Sequence, residues 1–394
     1  MLVLDDAERA ARRFLPRGLF DFVAGGAESG AAQRGNRAAF DALSFCPSIL
    51  CDVSSRDTSV SLWGRHYAAP FGIAPMGAAA LCAPEGDLLM ARAAHRAGLP
   101  FILSAASSVP MEAVAREAPG SWYQAYLPGE HGRIGRLLDR VGKAGFDVLV
   151  VTADVPVAPK RDDCLRRGFT FPARIGTSAI LDALARPGWC LRLAASAWQH
   201  GVPRLENMEA EPGSSLLGHE APSRRMLRDR LCWNDLAWIR SRWPGRLLLK
   251  GLLAESDARR AAETGLDGII VSNHGGRQLD HAVSPLRVLP GMIRAAGHMP
   301  VMLDGGIRRG TDVLKAVALG ARLVFVGRPM LFAAAVSGEA GVRRMLDLLW
   351  DEVDRGLALL GCPSLEILDG HWLLPSALDP LTTMHSRMPG DDKT

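Results

Sequence analysis

The chain has no C-x-x-C pair, no long basic run, no apolar stretch of membrane length and very little lysine. Its seven Cys residues, at 46, 51, 82, 164, 190, 232 and 362, are odd in number and far apart. That spacing argues against a disulfide frame or a zinc site and for reduced thiols in a cytoplasmic protein without a metal. A formal charge of only +4, from Arg residues scattered along the chain, gives no reason to expect nucleic acid as a partner. No window of about twenty apolar residues exists, so no segment is expected to span a bilayer. The beginning, MLVLDDAERAARRFLP, places Asp5, Asp6 and Glu8 where a signal peptide needs a basic end and an apolar core, and it reads as a helix.

What is present is the composition of a soluble globular enzyme, 48% hydrophobic and 22% charged, in a length of 394 residues that suits one large barrel with insertions or two ordinary domains. From residue 70 onward short apolar strands alternate with amphipathic helices. Strands are expected at Phe71 to Pro75, Phe101 to Ala105, Tyr123 to Leu127, Val148 to Asp154, Leu247 to Gly251, Gly268 to Val271, Val301 to Gly305 and Leu323 to Gly327. The intervening helices include Pro84 to Ala97, Arg133 to Ala144 and Glu255 to Glu263, the second with Ile134, Leu137, Leu138 and Val141 at helical spacing. Eight such units predict an α/β protein, a (β/α)8 TIM barrel.

The remainder divides into an N-terminal helical and hairpin cap over 1–69, with one helix at Phe14 to Val23 broken by Gly25 and Gly26, and the barrel over 70–394. The barrel is interrupted at 166–232 by a Pro- and Gly-rich insertion after strand four, long enough to be a lid or a binding segment. Within it Ile180 to His200, carrying Trp189 and Trp198, either packs on the protein or lies on a membrane surface. A helix from about Gly341 to Leu360 is expected to close the barrel, with a loose tail after Pro380.

Chemistry in a parallel barrel sits at the C-terminal strand ends. After strand six stands SNHGGRQLD, residues 272–280, in which His274 can move a proton near neutral pH and Arg277 can grip a carboxylate. After strands seven and eight stand DGGIRRG, 304–310, and VGRP, 326–329, the paired Gly-rich loops of a barrel phosphate site with Arg308 and Arg328 to neutralise charge. Lys250 ends strand five, one of five Lys among the 46 basic residues, and its compact charge could stabilise an anion developing on a cofactor ring. Gln124 and Thr152 offer neutral donors and acceptors, Tyr126 follows on strand three, Asp154 could orient His274, and Arg161 is a candidate second carboxylate clamp.

These motifs, with LLLKG at strand five and PEG at 84–86, closely resemble the FMN-dependent α-hydroxy acid oxidases and dehydrogenases, from about Arg12 to Gly361. GLLAESDA and RQLDHAVSP look most like the mandelate dehydrogenase branch. The resemblance implies FMN at the barrel mouth. Its phosphate would rest on Gly306, Arg308, Gly327 and Arg328, its ring would lie against Pro75, Met76 and Gly77, and Asp304 and Gly305 would also contact the cofactor. Ser104, Gln124 and Thr152 would bond the ring, Lys250 would face its N1 and O2 edge, and Ser272 the ribityl chain. His274, assisted by Asp154, would take the proton of a 2-hydroxy acid held by Tyr126, Arg161 and Arg277, yielding a 2-oxo acid and passing two electrons to FMN. A homotetramer is implied, as is reoxidation by a quinone, a carrier or oxygen. Gly77, where oxidases of the family often have Ala, points to a dehydrogenase.

Three positions depart from the family pattern. Phe22, in FDFVAGGA, stands where a Tyr usually donates to the substrate carboxylate, so either Arg161 and Arg277 suffice or the carboxylate is masked, as in an ester, an amide or a modified natural product. Cys164 replaces an Asp beside Arg161. Ala106 and Ala158 are smaller than usual, and a roomier pocket favours bulky or aromatic substrates.

Overall fold

In the computed structural model, which describes residues 1–166, 177–211, 213 and 228–376, eight parallel strands follow one another around a ring. They are β1 (Phe71–Ile73), β2 (Ile102–Ser104), β3 (Trp122–Ala125), β4 (Val148–Thr152), β5 (Arg246–Leu252), β6 (Gly268–Val271), β7 (Val301–Asp304) and β8 (Leu323–Val326). β1 pairs with β8, and the ring closes through one bridge between Ile73 of β1 and Phe101 beside β2, where Ile73 N donates to Pro100 O at 2.9 Å. Helices such as Gly86–Arg96, His131–Lys143, Glu255–Glu263 and Gly310–Ala318 surround it, which is the expected (β/α)8 barrel.

Both faces of the strands are buried, as continuous apolar runs such as VLVVT require. The two-residue period then assigns each side chain to a layer. Ile102, Trp122, Val148, Val150, Leu248, Ile270, Met302, Leu323 and Phe325 fill the barrel interior. Leu149, Val151, Leu247, Leu249, Ile269 and Leu303 face the helices. The antiparallel hairpin Val60–Leu62 and Arg65–Tyr67 plugs the lower end, its Trp63 tilted against Trp122 at 5.7 Å between rings.

The cap begins with α1 (Leu4–Phe14), acidic in its first turn and basic in its last, as the helix dipole favours. The single helix expected at Phe14 to Val23 does not form. Leu15 precedes a proline and is extended, so the chain stops after Phe14 and restarts as α2 (Arg17–Ala24). α3 (Ala31–Asp41) is bolted to the loop after β6. Asp280 accepts from Ser29 N and Ala32 N, both at 2.9 Å, and Asn36 and Asn273 exchange bonds of 2.8 and 2.7 Å.

Several boundaries also differ. Each of the strands ending at Pro75, Leu127, Asp154, Gly305 and Gly327 in the sequence reading ends earlier, because the residues beyond bend outward to form the mouth. The span Arg328–Leu360 holds two helices separated at Ser337 and Gly338, where the backbone leaves the helical region, and the second of them is the expected helix ending at Leu360. Leu373–Pro375 adds an unexpected antiparallel pairing with Leu43–Phe45. The short helix Asp162–Arg166 leads into the insertion, of which helices Thr177–Leu184 and Pro187–His200 are described, while the tail after Pro380 lies outside the described residues.

Candidate active site

The inward layer changes character one step above the apolar filling. Ser104, Gln124, Thr152, Lys250, Ser272 and Asp304 each stand two residues beyond an interior apolar side chain, so the period that packs the core lays a polar floor across its top. Lys250 Nζ lies 2.8 Å from Asp304 Oδ2 and donates to Ser272 Oγ at 2.8 Å. Burial alone would lower its pKa, but Asp304 and Asp154 hold the ammonium above its usual value. Ser104 Oγ donates to Gln124 Oε1 at 3.1 Å. Gln124 Nε2, Thr152 Oγ1 and Asp304 Oδ1 are buried without a hydrogen-bond partner among the described residues.

His274 stands at the edge of this floor in the left-handed region, φ +57°, where Ser272 Oγ accepts from its N–H at 2.9 Å. Its Nδ1 donates to Asp154 Oδ1 at 3.1 Å, and Nε2 faces Tyr126 Oη at 3.4 Å. Burial would raise the Asp154 carboxyl, but the His274 ring and Lys250 pull its pKa below the ordinary value. Room for this carboxylate comes from a bulge in β5 at Gly251, φ +105°, where an added Cβ would lie 2.6 Å from Asp154 Cγ. The set amounts to a base whose tautomer a carboxylate selects and whose free nitrogen faces a cavity.

Arg277, Arg328, Arg308 and Arg161 stand around the mouth. Arg277 Nη1 donates to Val23 O (2.8 Å) and Gly25 O (2.9 Å), and Nη2 to Phe22 O (2.7 Å). Arg328 Nε donates to Val23 O at 2.9 Å, and its Nη2 to Gly275 O at 2.9 Å. The C-terminal carbonyls of α2 are thus held by two cations, as a helix end favours. Burial lowers the pKa of both, with help from Arg161 at Arg277 and Arg308 at Arg328, which is brought to about 9. Arg308 lies 3.5 Å from Asp5 and 3.7 Å from Glu8, and its backbone N–H is already taken by Asp312 at 2.8 Å. Arg161 and Arg277 approach the Phe22 ring at 5.0 and 5.4 Å.

Two adjoining cavities result. The first is lined by Pro75, Met76, Gly77, Lys250, Asp304, Gly305, Gly306, Arg308, Gly327 and Arg328. The second, about 430 Å³, lies beyond His274, Tyr126 and Phe22 and is walled by Ala106, Val155, Ala158, Arg161, Cys164, Leu205, Met208, Arg228 and Arg277. Ser104, Gln124, Thr152 and Ser272 are buried in the polar floor and do not themselves line either cavity. The sequence reading missed Leu205, Met208 and Arg228, which come from the long insertion, where no periodicity signals which side chains turn inward.

The model of the family described as FMN-dependent dehydrogenase matches residues 11–375. The chain belongs to that family. It is 38% identical to (S)-mandelate dehydrogenase of Pseudomonas putida over 371 residues, 94% of this chain and 93% of that one. It is also 39% identical to 4-hydroxymandelate oxidase of Amycolatopsis orientalis, over 92% of this chain and 95% of that one. A crystal structure of the monotopic membrane protein (S)-mandelate dehydrogenase superposes with a TM-score of 0.87 at 36% identity, covering 95% of this chain and all of that one.

FMN is therefore the family's cofactor, and the first cavity fits it on internal grounds. The partnerless Gln124 Nε2, Thr152 Oγ1 and Asp304 Oδ1 suit a ring edged with carbonyl and N–H groups, and the crowded, desolvated Arg308 and Arg328 suit a phosphate. An Asp154 pKa lowered on folding means that its ionised form stabilises the protein above the ordinary value of 3.8, a contribution lost as pH falls through the folded value. Urea midpoints of the parent and Asp154→Asn should separate towards neutral pH and converge on acidification. A gap that does not change with pH would contradict the His274–Asp154 pairing as its source.

Proposed function

We propose that this protein oxidises a bulky or aromatic L-2-hydroxy acid of the mandelate kind to its 2-oxo acid, with His274 as the base. The observation that carries the reading is His274 itself, seated on Asp154 through Nδ1 while Nε2 faces the cavity shared by Tyr126, Arg161 and Arg277. FMN, when bound, supplies the acceptor for the electron pair. His274 Nε2 receives a proton of the substrate, and Asp154 offsets the charge that the imidazolium then carries. Arg161, with Nε unpartnered among the described residues, and the remaining donors of Arg277 hold the carboxylate, while Tyr126 Oη orients the hydroxyl. The small Ala106 and Ala158 leave width for an aromatic ring among Val155, Leu205 and Met208.

Gly77 supports a dehydrogenase that passes electrons to a quinone or a protein carrier. An added Cβ there would lie 2.8 Å from Ala106 Cβ, so the wall between the two cavities is already closely packed at this point. Anaerobic (S)-mandelate should bleach the bound flavin, and His274→Ala should slow that bleaching by about 10²- to 10⁴-fold while retaining flavin. Little oxygen uptake is expected in turnover. Absence of bleaching by any 2-hydroxy acid would remove the proposed substrate class.

Phe22 favours a second reading, a hydroxy ester or amide, because no hydroxyl stands where two guanidinium groups meet its ring. Restoring a donor with Phe22→Tyr should tighten mandelate binding by roughly 1.5–3 kcal/mol, one to two decades in KM, and leave its methyl ester unaffected. A parent enzyme that prefers the ester would establish the masked-carboxylate reading instead.

We further propose a cytoplasmic homotetramer that rests on the inner face of the membrane through the insertion. Helices Thr177–Leu184 and Pro187–His200 are docked on one side, Trp189 Nε1 donating to Leu81 O at 2.8 Å and Arg192 Nη1 to Ala335 O at 3.0 Å. Their other side exposes Leu181, Leu184, Leu191 and Trp198, the last 92% accessible, although no helix among the described residues is long and apolar enough to cross a membrane. Of the two arrangements expected for this segment, packing on the protein is present in these contacts, and the exposed face is what supports membrane contact as well. The protein should sediment with anionic phospholipid vesicles, and replacing Leu191 and Trp198 by Ser should leave it in the supernatant with the light-scattering mass of a tetramer. Sedimentation unchanged by those substitutions would dismiss this surface.

A further inference from the structure

Arg228 has no part in the residue roles given above, yet it lines the second cavity. Its guanidinium carbon lies 4.6 Å from the centroid of the Tyr126 ring. That ring is also nearly parallel to His274, 26° between planes at 6.5 Å, with Tyr126 Oη 3.4 Å from His274 Nε2. The order across the cavity is therefore cation, phenol, imidazole, carboxylate, with Arg228 and Asp154 at the two ends. A guanidinium over a phenol is drawn to the ring face, which fixes the ring plane, and its charge makes the hydroxyl a stronger donor.

We propose that Arg228 is a positioning residue, which acts through Tyr126 by holding the phenol against His274 and strengthening the hydrogen bond that its hydroxyl gives to the substrate oxygen. The proposal rests on the hydroxy acid reading above for its kinetic consequence but not for the stacking itself. Burial raises the pKa of the Tyr126 hydroxyl, and Asp154 adds to the rise. Lys250, Arg228 and Arg161 oppose it, and Arg277 also faces the phenol. Arg228 is the member of this group that approaches over the ring. The arrangement differs from a substrate clamp, in which a guanidinium acts on the carboxylate and its loss appears in KM.

The test is a double-mutant cycle on the flavin-loaded, full-length enzyme with (S)-mandelate. Arg228→Met should lower kcat by about three- to tenfold with KM nearly constant, the size expected of a cation–ring contact. In a Tyr126→Phe background the same change should have almost no effect, and Arg228→Lys should restore part of the loss. Equal losses in both backgrounds, or a loss confined to KM, would overturn the proposal. A second measurement needs no turnover. The chain has three Tyr residues, so tyrosine labelled with carbon-13 at Cζ gives three signals, and Tyr126→Phe identifies its own. Arg228→Met should move the Tyr126 signal and leave those of Tyr67 and Tyr123 in place, and an unmoved Tyr126 signal would refute the stacking even if the enzyme proved to act on another substrate.

Discussion

The constraint on which the rest of the molecule depends is the alternation of side chains along the barrel strands. Every second residue points inward, so the apolar filling that holds the barrel together also determines which residues must face its open end. Lys250 is the sharpest case, because Leu248 two residues earlier belongs to the interior and a buried ammonium is tolerated only with partners. Asp304 and Ser272 supply them from β7 and the end of β6. The ammonium is thereby held in a fixed place at the floor of the first cavity, and its position is inherited from the core.

The cap depends on the barrel in a different way. α2 ends over the mouth, where the carbonyls of Phe22 and Val23 take their donors from Arg277 and Arg328. The same two residues therefore position Phe22 and bring positive charge to both cavities. Asp280 and Asn273, from the same loop as His274, tie down α3. The segment that carries His274 is thus also a junction between cap and barrel. Motion of the cap relative to the barrel would disturb the chemistry directly.

The substrate wall is made differently again. Tyr126 comes from the end of β3, Ala158 and Arg161 from the loop after β4, and Leu205, Met208 and Arg228 from the insertion. Side chains from a strand end are oriented by the sheet, whereas those from a long loop are oriented only by what the loop packs against. The floor is accordingly fixed by the sheet, while the wall, with Phe22, Cys164 and Arg228 in it, is fixed by the cap, the loop after β4 and the insertion.

Much of this was legible in the amino-acid order. Eight apolar runs, among them those at SNHGGRQLD, DGGIRRG and LLLKG, specify the strands and the residues at their ends, because the side-chain period is a local property. The helix Glu255–Glu263 and strand Gly268–Val271 were located to the residue for the same reason. What the tertiary structure alone decided are the long-range partners. Nothing near Arg277 in the chain indicates that it spends at least three donor contacts on carbonyls more than 250 residues away, that Ser272 supports Lys250, or that Arg228 lies over Tyr126. A side chain's type and layer follow from its neighbours in sequence, but which of its hydrogen bonds remain available for chemistry depends on segments that only folding brings near.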